Sequence, residues 1–347
     1  MSRLTDLAAR DQTELNSIAS SAASRVVRMW APANPDDLEG EWSLRAPQIA
    51  AVVTQAQVSA AQKASPYVES AAATMGVSVA GPVIIPEAFG GATREGREVA
   101  PELYSGVTYT KSLIKGGMGV GHAFRAGTAL MSILAANTIR DAGRSAGRTA
   151  AVGKGLMYSV RVVQPGACSR CAILAGVTGY RVSFQRHPGC RCTSMPIRGG
   201  DAAPEGFFTS PEEYFDSLSR AEQDRVFTKA GAWAIRNGAS PISVVNARRG
   251  ALSSVKRADG SYSLARLRAV TIGKRADGSP LRVYATPEGR TARGAWGRAQ
   301  NLDTRNDTDR YRRTSSVRLM PEQIMQMSEA ATPERARQLL QRYGYLR

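Results

Sequence analysis

Every cysteine of the chain stands between Pro165 and Pro196, in the order Cys168-Ser-Arg-Cys171, an apolar run with glycines, then His187-Pro-Gly-Cys190-Arg-Cys192. Thiolate and imidazole are the donors a tetrahedral zinc ion prefers, and Cys-x-x-Cys lets two sulfurs face one ion from a single tight turn. Gly166 and Gly189 supply permissive backbone beside each turn. Cys168 and Cys171 form one half of such a site, and His187, Cys190 and Cys192 compete for the other. The repeat of knuckle spacing in His187-x-x-Cys190 favours Cys168, Cys171, His187 and Cys190, with all four cysteines as the rival set. A set of three or four sulfur ligands has no open coordination position, so the expected ion is structural. Two disulfides, or thiols with no metal, are the competing readings. The charged opening Met1-Ser-Arg-Leu-Thr-Asp lacks the apolar core of a signal peptide, which favours reduced thiols.

The elements around this cluster read as mainly helical. Apolar residues at Leu4, Leu7, Leu15, Ile18, Ala22, Val26 and Met29 recur at helical spacing, and a second helix is expected from Pro47 to Ser65. Met75 to Gly96 is rich in glycine and proline and reads as a loop, with a short extended piece at Val83–Ile85. Helices follow over 97–115 and 121–149, the latter presenting Arg125, Arg140, Arg144 and Arg148 to solvent or to an acidic partner. Tyr158 to Val163 alternates as a strand does, and Tyr180–Phe184 and Thr193–Ile197 are expected strands flanking the second ligand pair. The fold class is therefore α+β: a helical domain over 1–155, a Cys/His-clipped β module over 156–200, and a mixed, arginine-rich domain over 201–347. Within the last, Ser210-Pro-Glu-Glu213 and Ser219-Arg-Ala-Glu222 are capping-box helix starts. Arg257-Ala-Asp-Gly260 and Arg275-Ala-Asp-Gly278 are hairpin turns. Segments 287–294 and 303–313 are polar and arginine-rich, and helices from Pro321 and Pro333 close the chain.

Lys and Arg number 46 against 29 Asp and Glu, a formal charge of +17. That field favours nucleic acid or an acidic protein surface, and with 6% aromatic residues it favours phosphate contact over base stacking. No apolar run reaches membrane-spanning length. Catalytic patterns fail one by one. Gly116-Gly-Met-Gly-Val-Gly121 lacks the Lys-Ser/Thr that ends a phosphate-binding loop, and His122-Ala-Phe lacks the glutamate of a zinc deaminase. No enzyme is expected.

The helical first half, the strand, Cys168-x-x-Cys171 and His187-Pro-Gly-Cys190-Arg-Cys192 together resemble the Mu F-like minor head proteins of tailed bacteriophages, the phage head morphogenesis family. The stretches Phe215–Gln223, Val245–Gly250 and Arg318–Ile324 resemble the form found in phages of actinobacteria. The resemblance implies a low-copy structural protein made in the host cytoplasm. It would associate with portal and other capsid proteins and stay inside the virion near the portal vertex. A role in DNA packaging or ejection, through non-specific phosphate contacts, is also implied. The alternative is a zinc-containing DNA-binding protein that is not part of the virion.

Overall fold

The computed structural model describes residues 2–163, 167–187, 189–199, 203–256, 262–267, 269–300, 313–328 and 332–346. The fold is mainly helical α+β, in two compact units that hold most of Met1–Thr209 and most of Ser210–Arg347. The second boundary therefore falls after Thr209 rather than at 200. None of its described helices is long and apolar enough to cross a membrane.

In the first unit, α1 (Arg3–Trp30) starts at Ser2, whose hydroxyl accepts the Thr5 N–H. It buries one stripe: Ala8, Leu15, Ala19, Ala22, Val26 and Trp30. α2 (Leu38–Gln62) begins nine residues before Pro47, because Asp37 caps it through the Gly40 N–H and Pro47 is carried inside the helix. α3 (Ala64–Thr74) follows at once, with Pro66 in its first turn, where a missing N–H breaks no intrahelical bond. Val83 and Ile85 form no strand and are largely exposed, and a 3₁₀ turn at Pro86–Phe89 follows. α4 (Val99–Lys115) and the long α5 (Val120–Gly153) approach closely at Gly106 and Gly127. A side chain built on Gly127 would meet the Gly106 carbonyl at 2.5 Å, so only glycine permits the crossing. Trp30, Ile49, Leu103, Met131 and Ile139 fill the shared core.

Strand β1 (Tyr158–Val162) leaves α5, passes the short helix α6 (Ser169–Ala172), and is flanked by β2 (Val177–Gly179) and β3 (Thr193–Ile197) in the order β2-β1-β3. Both pairings are antiparallel, with Val160 opposite Val177 and Met195. One face of this sheet packs Val160, Val162, Met195 and Ile197 on Ala8 of α1 and Tyr67 and Ala71 of α3. The sheet thus shares its core with the helices instead of standing as a module over 156–200. Strand β2 takes the place expected for Tyr180–Phe184, which is turn and irregular backbone, for a reason given below.

The second unit takes in Cys168–Ile173, with α6, and then α7 (Pro211–Asp216), α8 (Arg220–Phe227), α9 (Lys229–Arg236) and α10 (Pro241–Ala251). Ser219 and Glu222 make the reciprocal capping box, and Ser210 accepts the Glu213 N–H. Paired strands β4 (Leu252–Lys256) and β5 (Tyr262–Leu267) follow, then β6 (Ala269–Lys274) and β7 (Pro280–Thr286), joined by the expected turn at Arg275–Gly278. The twin turn at 257–260 lies outside the described residues, as does most of 303–313. Helix α11 (Ala295–Ala299), strand β8 (Arg318–Leu319) beside β7, α12 (Pro321–Ser328) and α13 (Pro333–Arg342), capped by Thr332, complete the unit.

Candidate metal centre

Cys168 and Cys171 sit at the start of α6, a single turn closed by the Cys171 and Ala172 N–H groups on the Cys168 carbonyl at 2.9 and 3.0 Å. That turn aims both sulfurs to one side, as the spacing requires. Cys168 is exposed and Cys171 buried. In the second half the Cys190 N–H donates to the His187 carbonyl at 3.0 Å, forming the second knuckle. Cys190 and Cys192 are buried and His187 is half-buried. All four cysteines are thiols.

The ligand atoms fall into two overlapping groups. Those of Cys168, Cys171 and His187 lie within 4.8 Å of one another, and so do those of Cys171, Cys190 and Cys192. Sulfurs about 2.3 Å from one tetrahedral ion lie about 3.8 Å apart, so this spread suits a shared ion after small side-chain rotations. The cluster could hold a metal ion. Cys171 belongs to both groups, whereas His187 and Cys192 each belong to one.

The second knuckle has no regular secondary structure, and its shape comes from α5 and α1. Arg144 Nε donates to the Cys192 carbonyl at 2.9 Å and its Nη2 to the Cys190 carbonyl at 2.7 Å. Its remaining nitrogen meets Asp141 at 2.9 Å, and the other Asp141 oxygen lies 2.5 Å from Arg186 in a charge contact. Asn137 accepts the Gly189 N–H at 3.0 Å, and Asn16 of α1 donates to the Arg191 carbonyl at 3.1 Å. Arg161, from β1, brings Nη2 to 3.6 Å from the Cys190 sulfur and stacks its guanidinium 4.2 Å from the Phe184 ring, which Arg144 also faces at 5.0 Å. Burial, with the Arg144 and Arg191 charges adding to it, pulls the Arg140 guanidinium down to about 10.

Arg140 and Arg144 do not face solvent: both are buried, since α5 is covered where those residues lie. Tyr180–Phe184 is not a strand, because its carbonyls go to guanidinium groups instead of a sheet neighbour: Gly179 and Val182 to Arg148, Phe184 to Arg94, Gln185 to Arg161. The supporting residues Asn16, Asn137, Asp141, Arg144 and Arg161 escaped the sequence reading. The one signal was Asp141, a lone carboxylate at i,i+3 to an arginine in a helix otherwise short of acids.

Comparison with protein-family models, with curated proteins and with solved structures finds no match to this chain.

Proposed function

We propose that the chain is a structural minor head protein of a tailed phage, held in shape at its middle by a zinc ion and associating with the portal inside the capsid. The observation that carries this reading is the convergence of Cys168-x-x-Cys171 and His187-x-x-Cys190-x-Cys192 on one cluster of ligand atoms. That pattern is also the most specific part of the resemblance to head morphogenesis proteins. Thiolates and imidazole select zinc over hard cations, which take oxygen ligands. A structural role, and no enzymatic one, is supported by the surroundings: three of the cysteines are buried, and Arg144 and Asp141 beside them are committed to carbonyls and to each other. The excess positive charge suits a location beside packaged DNA.

Two measurements test this. Elemental analysis of purified protein is expected to find about one zinc per chain, lost in Cys171→Ser together with folded structure. Purified virions and proheads are expected to contain the protein, and tagged portal to bring it down. Its absence from virions, with sequence-specific DNA affinity that survives moderate salt, would establish the DNA-binding alternative instead.

A further inference from the structure

The arginines that tie down the Gly179–Gln185 segment also wall a cleft of about 190 Å³ beside it, lined by Arg94, Arg148, Arg181, Ser145, Ser183 and the Tyr180 and Phe184 rings, with the buried Asp141 and Arg144. Its charge is unbalanced. Asp141 is neutralised by Arg144 and Arg186, and Arg186 also meets Glu95 at 3.6 Å. Arg94, Arg148 and Arg181 have no carboxylate within ion-pair distance among the described residues. Each uses part of its guanidinium locally: Arg94 on the Phe184 carbonyl at 2.8 Å, Arg148 on those of Val182 and Gly179, Arg181 Nε on the Tyr180 hydroxyl at 2.9 Å. A guanidinium has five N–H donors, so most of the donor capacity of Arg94 and Arg181 remains, and both side chains are exposed. Burial first, and the neighbouring Arg94 charge second, hold the Arg148 guanidinium below its usual range. Like charges are held together here by the backbone they grip, with two serine hydroxyls between them.

We propose that this cleft binds phosphate groups of a DNA backbone, with Arg94 and Arg181 clamping the phosphate oxygens and Arg148 fixing the loop that carries Arg181. Planar guanidinium groups match phosphate oxygens two at a time, which suits the exposed Arg94 and Arg181 to a phosphate. The site lies in the first unit, outside the arginine-rich 201–347 region. The biological source of the DNA rests on the head-protein reading; the binding chemistry does not.

The test is a salt titration of full-length protein on a duplex of roughly 30 base pairs by fluorescence anisotropy, with a backbone-contact slope as the readout. Arg94→Gln with Arg181→Gln is expected to flatten the slope of log affinity against log salt by about 1–2, and to weaken binding roughly tenfold near 0.1 M salt. Arg275→Gln with Arg282→Gln removes the same charge from the exposed β6–β7 hairpin and is expected to do much less. Equal losses in the two pairs, or an unchanged slope in the first, overturn the proposal. Inorganic phosphate bound in the cleft by calorimetry, with the DNA slope unmoved, also overturns it, because the site is then one for free phosphate. Arg181→Gln alone keeps every backbone tether of the segment and guards against a folding artefact, checked by circular dichroism. Because the readout needs no portal or virion, loss of DNA binding and failure of the head-protein reading are separately visible.

Discussion

Arg144 in the first unit and Arg318 in the second are both buried, and they are made tolerable in different ways. Arg144 has a carboxylate: Asp141 meets it at 2.9 Å while its other nitrogens hold the Cys190 and Cys192 carbonyls. Arg318 has no carboxylate within ion-pair distance among the described residues. It donates to the carbonyls of Tyr343, Gly344 and Glu288 and to the Ser243 hydroxyl, and lies 4.2 Å over the Tyr345 ring. Burial accordingly holds the Arg318 guanidinium below its usual range. The first arrangement is an ion pair that shapes a ligand-bearing loop; the second is a dipole and aromatic cage that fastens the Tyr343–Tyr345 segment. The lesson is that part of the arginine excess is internal scaffolding, and only the remainder is surface charge.

The sharpest way to break this comparison is Asp141→Asn. It leaves Arg144 buried without its anion and is expected to destabilise the first unit by about 3–5 kcal/mol in urea unfolding, whereas neutralising Glu288, whose carbonyl rather than carboxylate serves Arg318, should do far less. Next, Arg318→Met takes the guanidinium from the Tyr343 carbonyl, while the Gly344 carbonyl keeps the Ser243 hydroxyl at 3.1 Å, and is expected to cost about 1–3 kcal/mol for the one buried group left unsatisfied. Hydrogen exchange should place that loss in the second unit alone.

Arg144→Met separates the two roles. It should weaken zinc affinity about 10–100-fold, as outer-shell partners of metal ligands do, while Arg318→Met leaves chelator competition unchanged. If both variants bound zinc alike, Arg144 would be a core residue only.

A pH scan adds a smaller contrast. Burial, with the Glu14 charge second, pushes the Asp11 carboxyl up to about 7. The folded state therefore holds this proton across a range in which the unfolded chain has released it, so first-unit stability should fall as pH rises from about 4 to about 7. Asp11→Asn is expected to remove that slope, raising first-unit stability at pH 8 and leaving it unchanged at pH 4. Arg318 does not titrate in this range, so its cage should show no such slope. The smallest effect is Ser219→Ala, which deletes half of the capping box in the second unit and should cost about 1 kcal/mol there.

Several of these features were legible in the chain. Helical spacing located α1 and α5, the serine and glutamate pairs located the starts of α7 and α8, and Arg275–Gly278 located the β6–β7 turn, because each is a local signal that neighbours in sequence satisfy between themselves. The start of α2 was not legible, since Asp37 caps it and a proline inside the helix reads as its beginning. Nor was the irregular path of Tyr180–Phe184. Its length suits a strand, but Arg94 and Arg148, far off in sequence, take the carbonyls a neighbouring strand would have used.

For the candidate site the division is the same. Residue type and spacing alone determined the donors, because Cys-x-x-Cys and His-x-x-Cys turn their ligands together within four residues. Only the tertiary structure decided that Cys171 is common to both ligand groups, and that Arg144, Asp141 and Asn137 shape the second knuckle. It also decided which arginines are buried. Those choices depend on which face of α5 is covered by residues some fifty positions away along the chain, and an arginine reads the same in sequence whether it meets water or a carbonyl.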